Sequence, residues 1–139
     1  MLTVTRNVRI EWGDCDPAGI VYFPRYFEYF DRCTAGIFEA VGFRKPALLQ
    51  TYDIAGIPLV DARANFRVPS KFGDDVVILT TIPEWGRSSF KVHHRLMKAD
   101  VLAVEGFETR VWAGHDPARP GGIKARELPK ELFERFRHA

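Results

Sequence analysis

The hydrophobic period of this chain changes partway along its length, and this change restricts the fold more than any other feature. From Tyr26 to Val41, apolar side chains recur every three or four residues, with charged residues between them. The spacing predicts an amphipathic helix of about five turns, with Pro24 at its first position and Gly42 as its C-terminal cap. At ~1.5 Å per residue this helix would be roughly 28 Å long. That is unusually long for a chain of 139 residues.

From residue 59 onwards the period is two, which is typical of β-strands. Apolar and polar residues alternate cleanly from Leu59 to Val68. Three further strands are predicted at Val76–Trp85, Ser89–Lys98 and Leu102–Ala113, each preceded by residues that favour turns. The short connections favour antiparallel pairing between successive strands.

The remaining segments predict shorter elements. Residues 2–12 alternate in part and predict a first strand, residues 43–56 predict a short helix and a loop, and residues 128–137 predict a closing amphipathic helix. A single long helix has to bury its apolar side against a sheet, which has to curve around it. We therefore expect an α+β fold with one domain over residues 1–139. The second sheet face and the open strand edges predict a homo-oligomer, at least a homodimer.

Composition and charge disfavour several classes of protein. The net charge is only +2, and lysine and arginine are scattered among acidic residues, so no nucleic-acid partner is expected. No segment approaches the ~20 apolar residues of a membrane span, and no signal peptide is recognisable. Two cysteines are too few to staple the domain, so a reducing cytoplasm is the expected location. The four histidines lack metal-ligand spacing, so no metal site is predicted.

An acidic, turn-forming segment, Gly13–Pro24, lies between the first predicted strand and the long helix. Such an arrangement can place a carboxylate such as Asp16 beside a helix start, where unpaired backbone N–H groups and the helix dipole attract an oxyanion. A carboxylate that attacks or activates water, next to such donors, is the minimum equipment for cleaving an acyl bond. The alternative is that Asp16 only forms a turn before Pro17, as Asp–Pro sequences often do.

Two neighbours of Asp16 are interpreted as structural. Asp14 is interpreted as a turn or surface hydrogen-bonding residue, although two nearby carboxylates can raise each other's pKa. Cys15 is interpreted as a packing residue rather than a nucleophile. His93 and His94 are adjacent in a strand and face opposite sides, so at most one of them could reach Cys15.

The segment Arg9–Tyr26 resembles the signature of hotdog-fold acyl-CoA thioesterases, most closely the 4-hydroxybenzoyl-CoA thioesterase family. The resemblance continues in order through Gly56–Pro58, Phe72–Val76 and Glu84–Phe90. It implies a hotdog fold, in which a curved antiparallel sheet wraps around one long central helix. It also implies that two protomers join their sheets edge to edge, that dimers pair into a homotetramer, and that the active site lies at the dimer interface.

The resemblance also implies roles for individual positions. Asp16 matches the catalytic carboxylate, as nucleophile or general base, and the backbone N–H of Phe23 falls where the thioester carbonyl is polarised. The residues implied to bind the CoA phosphates are Arg87, Ser88 and Ser89. The residues implied to bind the acyl group are Tyr22, Tyr26, Asp31 and Ile57.

The implied reaction is hydrolysis of an acyl-CoA thioester, with an aromatic acyl group similar to 4-hydroxybenzoyl and no cofactor beyond the CoA of the substrate. Ile57 stands where a family member carries threonine, which makes the predicted pocket more apolar. Lys124 and Arg126 are further candidates for holding CoA. The alternatives are a thioesterase for short or branched acyl-CoA or for acyl carrier protein, and a hotdog protein that binds acyl-CoA without cleaving it.

Overall fold

A long helix, α1 (Pro24–Ala40), packs against one face of a five-stranded antiparallel sheet. The structure is a computed structural model that describes all 139 residues. The strands of the sheet are β1 (Val4–Arg9), β2 (Leu59–Phe66), β3 (Asp75–Trp85), β4 (Ser89–Lys98) and β5 (Val101–Val111). The other elements are α2 (Lys45–Tyr52), a two-stranded hairpin of β6 (Ala113–His115) and β7 (Ile123–Ala125), and α3 (Lys130–Arg137).

The two ends of α1 lie where the sequence predicts them. Pro24 occupies the first turn, where its missing N–H costs no helical hydrogen bond. At the other end, the N–H of Gly42 donates to Glu39 O at 3.0 Å, and the N–H of Phe43 donates to Phe38 O at 3.0 Å. This pair of bonds forms a Schellman motif. Gly42 has a φ of 99°, which a residue with a side chain rarely adopts.

The apolar side of α1 contributes to two clusters of buried side chains. One cluster lies near the C-terminal half of the helix and contains Phe38 and Trp112, while the other lies near the N-terminal half and contains Phe30 and Leu96. Burial of each such side chain contributes roughly 1.5–3 kcal/mol to folding. Gly106 on β5 lies directly under Phe30, and a Cβ at that position would be 2.5 Å from the ring. Glycine at this position therefore allows the helix to approach the sheet closely.

The strand order is β1-β3-β4-β5-β2, with every neighbouring pair antiparallel. Pairing between successive strands is confirmed for β3 with β4 and for β4 with β5. It is wrong for β2 and β3, because β2 pairs with β5 at the opposite edge. The chain between β2 and β3 instead passes the acidic loop, where the N–H of Val21 donates to Ser70 O at 2.9 Å. Hydrophobic alternation identifies strands but carries no information on their lateral order.

Several element boundaries differ from the predicted ones for identifiable reasons. The first strand ends at Arg9 rather than residue 12, because a 3₁₀ helix, Trp12–Asp14, begins the acidic loop. Strand β2 ends at Phe66 rather than Val68, because the N–H groups of Arg67 and Val68 both donate to Ala103 O, at 2.8 and 3.0 Å, which interrupts the regular pairing. The last helix begins at Lys130 because Pro129, in an extended conformation, occupies its N-cap. Register shifts in β2, β3 and β4 mark bulges, which bend the strands of the sheet.

Strand β2 has a neighbour on one side only. Leu59, Val60 and Phe66 are exposed on it, although all three are large apolar residues. An open apolar edge of this kind is normally covered in a soluble protein. This open edge is one of the features from which a homo-oligomer is predicted.

None of the helices is long and apolar enough to cross a membrane.

Candidate active site

The acidic loop is closed by hydrogen bonds that lead stepwise to the start of α1. The N–H of Glu11 donates to the Asp14 carboxylate at 2.9 Å, and the N–H of Tyr22 donates to Asp14 O at 2.8 Å. Between them, Cys15 and Val21 form an isolated antiparallel bridge. Asp14 therefore has the structural hydrogen-bonding role that the sequence predicts. The Cys15 thiol donates a hydrogen bond to Glu11 O at 3.6 Å.

Asp16 lies at the tip of this loop and is half-buried. Its N–H donates to Ile20 O at 2.9 Å, and its Oδ1 accepts the N–H of Ala18 at 2.8 Å. These bonds form an Asx turn, which is the alternative interpretation of Asp16. The turn uses only one carboxylate oxygen, and Oδ2 accepts no hydrogen bond within the chain. The turn geometry therefore fixes the carboxylate while leaving one oxygen available for chemistry.

The first turn of α1 offers an unused backbone donor. The N–H groups of Arg25 and Tyr26 donate to Tyr22 O and Phe23 O at 2.8 and 3.1 Å, and Pro24 has none. The N–H of Phe23 donates to no acceptor within the chain. It lies at the positive end of the helix dipole, which favours an oxygen with developing negative charge.

Two predicted acyl-site residues lie beside this helix start. Tyr22 is half-exposed, whereas Tyr26 is buried and packs against the rings of Tyr29 and Phe66, with centroid separations of 6.1 and 5.6 Å. Tyr26 is therefore mainly a core residue. One side of it also lines a groove of about 340 Å³ together with Phe23 and Phe66.

The other two predicted acyl-site residues, Asp31 and Ile57, line a different cavity. It measures about 60 Å³ and lies between α1, α2 and the loop before β2. Neither Asp16 nor Phe23 lines it. Positions 23 and 31 are separated by roughly 12 Å along a helix axis at ~1.5 Å per residue. Within one protomer, the predicted acyl-site residues therefore fall into two groups.

Sequence reasoning missed a buried network of charged side chains beside this second cavity. Arg110 on β5 donates to Glu108 at 2.7 Å and to Asp31 at 2.8 Å, and His94 on β4 lies 3.0 Å from Glu108. Thr34 on α1 also donates to Glu108, at 2.7 Å. The sequence does carry a signal for this network, because Glu108 and Arg110 place opposite charges at two successive core-facing positions of β5.

The network shifts the pKa values of Glu108 and Arg110. Burial alone would raise the pKa of Glu108, but hydrogen bonds from His94 and Arg110 outweigh it and hold that pKa below its ordinary value. Burial likewise opposes the charge of Arg110, whereas Glu108 and Asp31 raise the pKa of its guanidinium. Both side chains are almost fully buried, with exposed fractions of 5% and 6%. The network is therefore an ionic element within the apolar core.

The two adjacent histidines face opposite sides of the sheet, as the alternation predicts. His93 lies on the outer face, 2.7 Å from Glu105, and His94 lies on the inner face, where its ring stacks on Phe30. Neither histidine forms a hydrogen bond with Cys15. No group of three or more histidine, cysteine, aspartate or glutamate side chains is arranged to hold a metal ion.

Of the predicted CoA-binding residues, Arg87 and Ser88 lie in the turn between β3 and β4, and Ser89 is the first residue of β4. Arg87 is exposed, and no ion pair within the chain involves its guanidinium. The backbone of the turn is fixed from behind, because Leu128 N–H donates to Arg87 O and Trp112 N–H donates to Ser88 O, both at 2.8 Å. Arg126 instead folds over Gly114 and donates to His115 O at 3.0 Å. Its side chain therefore supports the β6–β7 hairpin, whereas Arg87 is free to meet a ligand.

Residues 10–136 match the model of the thioesterase-like superfamily. The chain belongs to this superfamily. It is 36% identical to the 4-hydroxybenzoyl-CoA thioesterase of Pseudomonas sp. strain CBS-3, over 95% of this chain and 96% of that protein. The solved structure of that enzyme matches with a TM-score of 0.86 and 32% identity, over 96% of this chain and 98% of the other.

Two further solved structures are similar to this member of the superfamily. A 4-hydroxybenzoyl CoA thioesterase mutant, with an aspartate replaced by asparagine and 4-hydroxybenzoyl CoA bound, gives a TM-score of 0.87 at 32% identity, covering 96% and 97% of the two chains. A gentisyl-coenzyme A thioesterase gives 0.80 at 30% identity, covering 96% and 99%. The predicted hotdog fold and acyl-CoA thioesterase class are confirmed by these similarities.

Proposed function

We propose that this thioesterase hydrolyses acyl-CoA thioesters with a compact aromatic acyl group, similar to 4-hydroxybenzoyl-CoA, to the free acid and CoA. The observation that supports this most strongly is that one short segment of the chain carries a carboxylate oxygen of Asp16 and a backbone N–H of Phe23 that both lack a partner within the chain. Both belong to one hydrogen-bonded loop that ends at the start of α1. A thioester carbonyl requires a base or nucleophile on one side and an oxyanion donor on the other.

Asp16 acts in one of two ways. As a general base, it accepts a proton from water while the water oxygen bonds to the carbonyl carbon. As a nucleophile, its own oxygen bonds to that carbon, and water later hydrolyses the mixed anhydride. In both, the Phe23 N–H donates to the oxyanion, the C–S bond breaks, and the CoA sulfur leaves with the bonding electrons and takes up a proton.

The preference for an aromatic acyl group is supported by several relatives and by the groove at the helix start. Relatives are named for 4-hydroxybenzoyl-CoA, gentisyl-CoA and 1,4-dihydroxy-2-naphthoyl-CoA, all of which carry a ring. The rings of Phe23, Tyr26 and Phe66 line the groove, and aromatic side chains pack favourably against a flat ring. We assign Tyr22, Asp31 and Ile57 to the acyl site as well.

The active site is proposed to form between two protomers. This would bring the Asp16 loop of one chain to the Asp31–Ile57 cavity of the other. Within a single chain, Asp16 does not line that cavity. The exposed apolar edge of β2 supports a homodimer, and pairing into a homotetramer follows from the resemblance. Arg87, Ser88 and Ser89 are assigned to the CoA phosphates, since arginine suits phosphate through its fork of donors.

The proposed reaction uses no metal and no cofactor besides the CoA of the substrate, because the carboxylate and the backbone donor supply both required functions. The acyl-CoA substrate is the proposed small-molecule partner, with neither nucleic acid nor membrane involved. A cytoplasmic location is proposed, in keeping with two cysteines that form no disulfide.

A panel of thioesters tests this proposal. Release of free thiol is measured with benzoyl-, 4-hydroxybenzoyl-, phenylacetyl- and hexanoyl-CoA as substrates. We expect the highest kcat/KM with the two benzoyl thioesters. Faster release from hexanoyl-CoA would replace the aromatic assignment with an aliphatic one, and no release from any thioester would indicate a binding protein or a carrier-protein substrate.

A further inference from the structure

Arg110 joins three separate parts of the fold through one guanidinium group. Its Nη2 donates to Asp31 on α1 at 2.8 Å, and its Nη1 donates to the carbonyl oxygen of Ile57, in the loop before β2, at 3.0 Å. Its Nε donates to Glu108 on β5 at 2.7 Å. All three nitrogens are therefore engaged within the chain.

The two residues that Arg110 holds, Asp31 and Ile57, stand on different walls of the same cavity, and Arg110 itself lines it. Asp31 is 56% exposed, so the direction of its carboxylate depends on this ion pair rather than on packing. The loop on either side of Ile57 is held by backbone hydrogen bonds, from Ala113 N–H to Gly56 O at 3.1 Å and from Val111 N–H to Pro58 O at 3.0 Å, whereas the Ile57 carbonyl oxygen accepts from Arg110 alone. Arg110 is thus the buried side chain that links the Asp31 carboxylate on one wall to the Ile57 carbonyl on the other.

We propose that Arg110 is a positioning residue of the acyl site, which sets the placement of Asp31 and Ile57 and thereby the KM and the acyl-group preference. The inference rests on the proposed function, because it takes the Asp31–Ile57 cavity to receive the acyl group. Arg110 is not assigned a substrate contact in this account, since each of its three nitrogens already donates to an acceptor within the chain.

The rest of the buried network supports the same role. Glu108 accepts from Arg110 and Thr34 through one oxygen and meets His94 through the other, which fixes the orientation of the Arg110 side chain. Thr34 lies three residues after Asp31, on the same side of α1. The helix is therefore tied to β5 at two neighbouring points, and the cavity wall between them is held in register with the sheet.

Lysine cannot replace arginine in this arrangement. The three acceptors lie in three directions around a planar fork, whereas a lysine presents one compact ammonium group. Removal of Arg110 alone would also leave the buried Glu108 with less compensation, which is destabilising in itself. The test therefore needs a variant that removes both charges together.

The central experiment compares steady-state hydrolysis of 4-hydroxybenzoyl-CoA and benzoyl-CoA by the wild type, the double variant Arg110→Met/Glu108→Gln and Arg110→Lys. We expect KM to rise roughly 10–100-fold in both variants, the range associated with losing a hydrogen bond to a charged group. The discrimination between the two substrates should shrink, and kcat should change much less. Circular dichroism and thermal unfolding establish whether each variant is folded. If the double variant does not fold, Arg110→Lys alone carries the test.

Two controls separate positioning from a general loss of structure. Arg95→Met makes the same change at an exposed position on the outer face of β4, and it should leave KM and acyl preference unchanged. Asp31→Asn should raise KM, and adding it to Arg110→Met/Glu108→Gln should raise KM little further, because both changes act on the same carboxylate.

The outcomes distinguish the two proposals. If Asp31→Asn raises KM but the folded Arg110 variants keep wild-type KM and preference, the positioning role is overturned and the acyl site stands. If neither Asp31→Asn nor the Arg110 variants alter KM or acyl preference, the cavity is not the acyl site. The acyl-site assignment and the positioning role of Arg110 are then both overturned. If the wild type releases no thiol, the proposed function fails first and this inference fails with it.

Discussion

The backbone N–H of Tyr22 donates to the backbone carbonyl of Asp14 at 2.8 Å, so the acidic loop closes immediately before α1 begins. The Asp14 carboxylate holds the same loop at its other end, by accepting the N–H of Glu11 at 2.9 Å. Asp16 lies inside the closed segment. The placement of the proposed catalytic carboxylate thus depends on a neighbour that does no chemistry itself.

Replacing Asp14 with alanine should loosen this loop. We expect the free energy of unfolding to fall by about 1 kcal/mol, as for loss of a capping side chain, and kcat to fall with it. An asparagine side chain keeps an oxygen that can accept the Glu11 N–H, so Asp14→Asn should retain most of both quantities. Urea unfolding and thiol release measure them. Wild-type stability and kcat in Asp14→Ala would show that the loop does not need this cap.

A methyl group at position 106 should push α1 away from the sheet. In Gly106→Ala the new Cβ would lie 2.5 Å from the Phe30 ring, and overpacking of this kind typically costs about 1–3 kcal/mol. Gly36→Ala is the matched control, because nothing lies within 4 Å of its added Cβ and alanine favours a helix interior. Denaturant unfolding should show a loss for the first variant and none for the second. Equal stabilities would contradict the close helix–sheet contact.

Glu108 should make stability depend on pH at the acid end. Its pKa in the folded protein is below the ordinary value of 4.5, so the carboxylate stabilises the fold above that pH and loses this contribution as the pH falls through the lower folded pKa. In Glu108→Gln the acid limb of the unfolding free energy should be shallower. Glu105→Gln, at a partly exposed pair with His93, should flatten it less. Thermal unfolding measured between about pH 3 and 7, which spans the ordinary pKa of a carboxyl group, distinguishes the two variants.

Arg87→Glu should weaken the binding of CoA without altering the chemical step. We expect KM for an acyl-CoA to rise roughly tenfold or more, since a charged hydrogen bond is lost and a repulsive charge gained, while kcat stays close to wild type. Arg95→Glu makes the same charge change on the outer sheet face and should leave KM unaltered. An unchanged KM in Arg87→Glu would remove this residue from the CoA site.

The local sequence pattern predicts most of the helices and strands of this molecule. It does not predict which strands and side chains pair when they lie far apart in the sequence. The three- and four-residue spacing from Tyr26 onwards predicts α1, and alternation predicts β3, β4 and β5 to within one or two residues. The edge position of β2 and the partners of Arg110 depend on contacts between residues far apart in sequence. Asp31 and Arg110, for example, are 79 positions apart. Asp16 could be proposed as the catalytic group from the sequence because its signal is local, in the loop and the helix that follows.

The substitution Asp16→Asn tests the central claim most directly, with thiol release and binding of 4-hydroxybenzoyl-CoA measured on the same preparation. The asparagine side chain can still accept the Ala18 N–H through its amide oxygen, so the loop should be preserved, but its amide neither attacks a carbonyl nor takes a proton from water. We predict that kcat falls by about 10²–10⁴-fold while substrate affinity and thermal stability stay near wild type. A kcat close to wild type in a folded, substrate-binding Asp16→Asn protein would contradict the assignment of this carboxylate as the catalytic group.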